Sequence, residues 1–142
     1  MERILEGRTA LVTGSTSGIG HGIALLYAQA GAKVMLNGFG RPEEIARARA
    51  EVGAAMGGGE APYSDADLSK PEAVRGMVAA AQEALGSLDI LVNNAGIQHV
   101  APVDEFPEEK FDAIIAINFT SNFHAIKAAL PGMKARGWGR II

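Results

Sequence analysis

Five short apolar runs, the first four each followed by a stretch of helical periodicity, constrain this chain more than any other feature. They are Thr9 to Thr13, Lys33 to Leu36, Ala61 to Tyr63, Leu88 to Val92 and Arg140 to Ile142. Such runs read as strands buried on both sides, and the stretches between them as crossover helices. The helices are placed over Ile19 to Ala30, Glu43 to Val52, from the Ser69–Glu72 spacing onward, and from Pro107 to about Leu130. Strands that alternate with crossovers build a parallel sheet with helices on both faces. The predicted fold is therefore α/β and doubly wound, one domain over residues 1–142.

Side-chain periodicity assigns the faces. In the first helix Ile23, Leu26, Tyr27 and Ala30 fall together, with Gly31 as the stop. Ile45, Ala48 and Val52 point inward from the second. Ser69 and Glu72 have capping-box spacing, Pro71 lies in the first turn, and Val74, Met77, Val78, Ala81 and Leu85 form one stripe. The last helix carries Phe111, Ile115, Phe119, Phe123 and Ile126 as one apolar set, with Ile114 and Ile117 elsewhere. A second apolar face implies either another subunit or burial in a larger fold.

Composition narrows the function classes. Thirteen Lys and Arg against sixteen Asp and Glu give a net charge of −3, which argues against a nucleic-acid binder. There are no cysteines, so thiolate metal sites and cysteine nucleophiles are absent, and no His set has metal-site spacing. No apolar run approaches the ~20 residues of a membrane span. The expectation is a soluble, cytoplasmic protein with no metal, no nucleic acid and no membrane partner.

Two loops carry the candidate chemistry. Thr13-Gly14-Ser15-Thr16-Ser17-Gly18-Ile19-Gly20 joins the first strand to the first helix. Gly14 suits the tight turn, Gly18 leaves room for a pyrophosphate against the backbone, and Gly20 allows close helix–strand packing. The helix N-terminus offers free N–H groups, and Ser15, Thr16 and Ser17 add hydroxyls. A purely structural turn is the alternative reading. The second loop, Asn93-Asn94-Ala95-Gly96, follows the fourth strand, near the reversal of strand order where open α/β sheets bind ligands. It lines a ligand or simply turns the chain. Asp67, beside Leu68, is either an acceptor for an adenine amine or a loop charge next to Ser69.

Together these stretches resemble the short-chain dehydrogenase/reductase family, a Rossmann-type fold. The matches are Thr13 to Gly20, Asp67, Asn93 to Gly96 and Asn118, in the order and spacing that family uses, and they cover the whole chain. Leu36-Asn37-Gly38-Phe39-Gly40 and Asn93-Asn94-Ala95-Gly96-Ile97-Gln98-His99 are similar to the members that act on (R)-3-hydroxybutyrate. The resemblance implies hydride transfer between that small-molecule substrate and NAD, giving acetoacetate and NADH. It implies cofactor contacts from Gly14, Ser15, Thr16, Ser17, Gly18, Ile19, Gly20, Phe39, Asp67, Leu68, Asn94, Ala95 and Gly96. Gln98 would reach the substrate carboxylate, against the reading of a solvated loop residue. Asn118 matches the catalytic asparagine, which bends the long helix and holds a water; alternatively Asn118 and Asn122 bond each other, one turn apart. Homotetramers built through the long helix are also implied.

Two departures accompany the resemblance. An acidic residue near the end of the second strand usually selects NAD. Here that place reads Asn37-Gly38-Phe39, and Arg41 follows closely enough to accept a 2′-phosphate, so the residues alone leave NADP open. The family also uses a Ser and a Tyr-x-x-x-Lys pair, in which the Lys charge lowers the Tyr pKa for proton exchange. Tyr27 is followed four residues later by Gly31, and Tyr63 by Asp67. The expectation is a cofactor-holding half that does not turn over alone and whose catalytic part lies beyond Ile142. The rivals are a dehydrogenase for another alcohol, a non-catalytic dinucleotide-binding module, and an assembly subunit. The three histidines read as bland; His99 is a plain loop residue or, on the alternative reading, edges the substrate pocket.

Overall fold

The computed structural model describes residues 1–142. Its sheet is wholly parallel, in the order β3-β2-β1-β4-β5. The strands are β1 (Thr9–Val12), β2 (Lys33–Asn37), β3 (Tyr63–Ser64), β4 (Ile90–Val92) and β5 (Arg140–Ile141). The helices are α1 (Gly18–Gln29), α2 (Pro42–Ala55), α3 (Pro71–Leu85), α4 (Glu108–Ile115) and α5 (Ser121–Arg136). This is the doubly wound arrangement, with the order reversing between β1 and β4.

Strand alternation divides the core in two. Ala10, Val12, Val34, Leu36, Ile90 and Val92 face α1 and α2, whereas Leu11, Met35 and Leu91 face α3 and α5. The α3 stripe is buried as the periodicity predicts, from Val74 to Leu85. The α1 face differs from expectation. Gly20, Ala24 and Ala28 are the buried residues, and Leu26 is half exposed. Small residues four apart let the helix lie close to the sheet, so Ile23 and Tyr27 flank the contact.

Three other boundaries shift. The third strand forms at Tyr63–Ser64, later than the apolar run, because Pro62 contributes only its carbonyl, to Leu36. The Ser69–Glu72 capping box does not form: Lys70 is the N-cap and the Ser69 hydroxyl donates to Asp67 Oδ1 at 2.7 Å. The long helix is broken by a π-helical turn at Ala116–Thr120 and runs on through Pro131 to Arg136. A bulge of this kind frees a carbonyl from the helical ladder and marks functional positions. Ile126 packs against the α3-side core, while Phe111, Phe119 and Phe123 stand exposed.

Candidate functional site

At the carboxyl ends of β1, β2 and β4 the loops converge on one groove. The glycine loop forms its floor. Gly14 adopts φ +62°, and a β-carbon there would lie 2.9 Å from Ala95 Cα. A β-carbon on Gly20 would collide with the Gly14 carbonyl and the Asn94 side chain, so this glycine lets α1 meet both loops. Gly18 adopts φ +60° and faces open space. The backbone N–H groups of Thr16 through Gly20 find no acceptor within the chain. Together with the positive end of the α1 dipole, that row of donors suits a pyrophosphate.

The hydroxyls are disposed differently from expectation. Ser15 is fully buried, and its hydroxyl donates to the Val12 carbonyl at 2.7 Å while accepting the Asn37 N–H at 3.1 Å. It braces the loop instead of facing a ligand. The Thr16 hydroxyl donates to the Phe39 carbonyl at 2.8 Å. Among these hydroxyls, only that of Ser17 is without a partner.

Two residues overlooked as site residues in the sequence hold the loops together. The Thr13 hydroxyl accepts the N–H groups of Asn94 and Ala95, each at 3.0 Å. Asn94 returns the contact through Nδ2, which donates to the Thr13 and Gly14 carbonyls at 3.1 Å. Asn37 is 1% exposed. Its Oδ1 accepts the Gly14 N–H, and its Nδ2 donates to the carbonyls of Ser64 and Ala66. A polar residue ending an otherwise apolar strand was the available signal for Asn37.

Phe39, 63% exposed, lines the groove from the β2–α2 loop. Two hydroxyls hold the backbone around it: Tyr63 donates to the Gly38 carbonyl at 2.5 Å, and Thr16 to that of Phe39. Burial, with Asp65 nearby, pushes the Tyr63 phenol above its ordinary pKa, against a lowering influence from Arg49. Beyond Phe39, Arg41 is paired. Its Nη2 lies 2.8 Å from Glu44 Oε1, and its Nε lies 3.6 Å from Glu43 Oε1.

Leu68 and Ala66 complete the wall under the groove, with Ala95 and Gly96 opposite. Asp67 lies just outside. Its Oδ1 accepts both the hydroxyl and the N–H of Ser69, and these bonds hold its carboxyl below the usual range. Asn118 sits in the π-helical turn. Its Oδ1 accepts the Ile97 N–H at 2.8 Å and its Nδ2 donates to the Ile97 carbonyl at 2.9 Å. The side chain is thus a two-point clamp on the loop after β4. Asn122 donates to the Asn118 backbone carbonyl at 3.1 Å, so the two side chains do not bond each other.

Ile97 and Ile117 line the same end of the groove. Gln98 is exposed one residue past the clamp and makes no hydrogen bond within the chain, and Ile19 projects 79% exposed beside the glycine loop. His99 packs edge-on against Phe106, with ring centroids 5.3 Å apart. His21, in the first turn of α1, contacts Glu51 of α2 at 2.8 Å.

A parallel doubly wound sheet with a donor-rich glycine loop at its switch point defines a nucleotide-binding α/β protein. Residues 8–142 match the short chain dehydrogenase family, and the chain belongs to it. That family consists of oxidoreductases that bind nicotinamide dinucleotides. The chain is 55% identical to a D-beta-hydroxybutyrate dehydrogenase of Cupriavidus necator, over 98% of this chain and 53% of that protein. It is 50% identical to one from Rhizobium meliloti, over 95% of this chain and 52% of that protein. A solved metagenomic short-chain oxidoreductase in complex with NADP superposes with a TM-score of 0.87. That match covers 96% of this chain and 61% of the other, at 35% identity. The chain spans about half the length of the curated relatives it matches.

Proposed function

We propose that this chain supplies the cofactor-holding part of a cytoplasmic NAD-dependent dehydrogenase that interconverts (R)-3-hydroxybutyrate and acetoacetate. The observation that carries the substrate class is the identity, over nearly the whole chain, to two D-beta-hydroxybutyrate dehydrogenases. The unfilled N–H row and the space at Gly18 fit a dinucleotide's pyrophosphate. A bound nicotinamide ring supplies the hydride acceptor. The chain's own residues bind and orient. Thr16 through Gly20 hold the phosphates, Phe39 and Leu68 flank the adenosine with Asp67 at the edge, and Asn94, Ala95 and Gly96 border the nicotinamide side. Asn118 keeps Ile97 in register, which aims Gln98 at the substrate carboxylate. An amide orients such an anion without neutralising it.

Neither tyrosine has a lysine four residues on, so the 142 residues are expected to bind dinucleotide without turnover. A second reading is a non-catalytic dinucleotide-binding module. The readings part when this sequence is carried together with the Ser and Tyr-x-x-x-Lys that the family uses. Dehydrogenase function predicts NAD reduction with (R)-3-hydroxybutyrate and little with other alcohols in a substrate panel. No reduction with any of them supports the module, and preference for a different alcohol overturns the substrate assignment.

A further inference from the structure

We propose that Glu44, in the first turn of α2, is the residue that makes this groove prefer NAD to NADP. The inference rests on the dinucleotide reading above and deepens it. A carboxylate at the end of the second strand usually does this work by bonding the ribose hydroxyls. Here that position is Asn37, buried and committed on both ends of its amide to the Gly14 N–H and to the carbonyls of Ser64 and Ala66. Both Nδ2 protons are used, and a neutral amide brings no charge to repel a 2′-phosphate. Discrimination must come from what lies past Phe39, where the chain turns through Gly40 into α2.

Arg41 at that turn has the charge to bind a 2′-phosphate, but Glu44 holds it. Glu44 Oε1 accepts from Arg41 Nη2 at 2.8 Å and from Nε at 3.2 Å, and Oε2 faces the Arg41 N–H at 3.4 Å. The same carboxylate borders Gly40: a β-carbon on that glycine would lie 3.4 Å from Glu44 Oε2. Glu43 adds a second carboxylate at 3.6 Å from Arg41 Nε. One cation against two anions leaves a net negative corner. The α2 N-terminus, equivalent to roughly half a positive charge, does not reverse it.

The surrounding groups do not change the sign. Arg47, one turn further along α2, is exposed and pairs with neither Glu43 nor Glu44, so it stands apart from the Arg41 cluster. On the other side of Phe39, Asp65 is exposed, and Arg49 is already paired with Glu60 at 3.2 Å and bonded to the Ala61 carbonyl. A phosphomonoester brings about 1.5 to 2 further negative charges into this corner. A 2′-hydroxyl brings none.

Calorimetric titration of the chain with NADH and with NADPH, at one fixed ionic strength, tests this. The wild type is expected to bind NADH at least about tenfold more tightly than NADPH. Glu44→Gln keeps an acceptor for the Arg41 N–H and removes the charge. It is expected to tighten NADPH binding by about tenfold while leaving NADH within about twofold, by the usual size of one unmatched charge contact. Adding Arg41→Ala to that variant should abolish the gain. Because Glu44 is half exposed, circular dichroism is expected to show an unchanged fold. Equal wild-type affinity for the two nucleotides, or an unchanged NADPH affinity in Glu44→Gln, overturns the assignment and leaves the dinucleotide reading standing. A wild type that binds neither nucleotide removes both.

Discussion

At Gly20 one β-carbon decides whether the two site loops close on each other. It would overlap the Gly14 carbonyl and the Asn94 amide, which bond each other, and the amide cannot retreat without also losing its bond to the Thr13 carbonyl. Gly20→Ala is expected to cost about 3 kcal/mol, the upper end of overpacking, read as a lowered urea midpoint. Gly18→Ala meets no neighbour and is expected to cost only the backbone term for φ +60°, about 1 kcal/mol. Equal costs would contradict the packing role of Gly20. Asn37→Ala leaves the Gly14 N–H and two carbonyls short of partners and is expected to cost about 2–3 kcal/mol in the same experiment. Asp67 offers a pH test. Its folded-state pKa is depressed by two bonds from Ser69, so the stability it adds is present above the ordinary carboxylate value of about 4 and disappears as pH falls through the lower folded value. Ser69→Ala removes the hydroxyl bond and keeps the backbone one, so it is expected to move the Asp67 titration, followed by carboxyl-carbon NMR, part of the way back toward the ordinary range.

Among the elements, the buried stripe of α3 was readable to the residue because a large apolar stripe has no competing arrangement. The packing face of α1 was not, since Gly20, Ala24 and Ala28 carry too little hydrophobicity to outweigh Leu26 in a periodicity argument. What buries them is the closeness that small side chains permit. The Ser69 cap was misread because Asp67, two residues earlier, takes the hydroxyl first. The loops that form the groove were legible as motifs, yet the roles of Thr13 and Asn37 were not. Their bonds join residues some 20 to 80 positions apart, which no local pattern records. The π-helical turn likewise leaves no hydropathy signature. Its consequence is specific: Asn118→Ala is expected to release Ile97 from both bonds and raise amide exchange across residues 96–99, while the α3 core stays protected. Unchanged exchange at Ile97 would contradict the clamp.

For the molecule as a whole, the apolar surface and the groove meet at the π-helical turn, which gives Ile117 to the groove and Phe119 to the surface. Phe111, Phe119 and Phe123 stand 56–73% exposed along α4, the π-helical turn and α5. In the proposed dehydrogenase this face is the expected homo-oligomer contact. Phe119→Glu with Phe123→Glu is expected to lower the light-scattering mass to that of a monomer; an unchanged mass places the contact elsewhere. The groove is expected to survive that change, because none of its bonds involves those rings. The central claim is that residues 13–20, 37–39 and 94–97 together form a dinucleotide site. Its most direct test is a calorimetric titration of this chain with NADH. The account predicts saturable binding at one site per chain, abolished by Gly20→Ala. Absence of heat at millimolar NADH from a chain shown to be folded would contradict it.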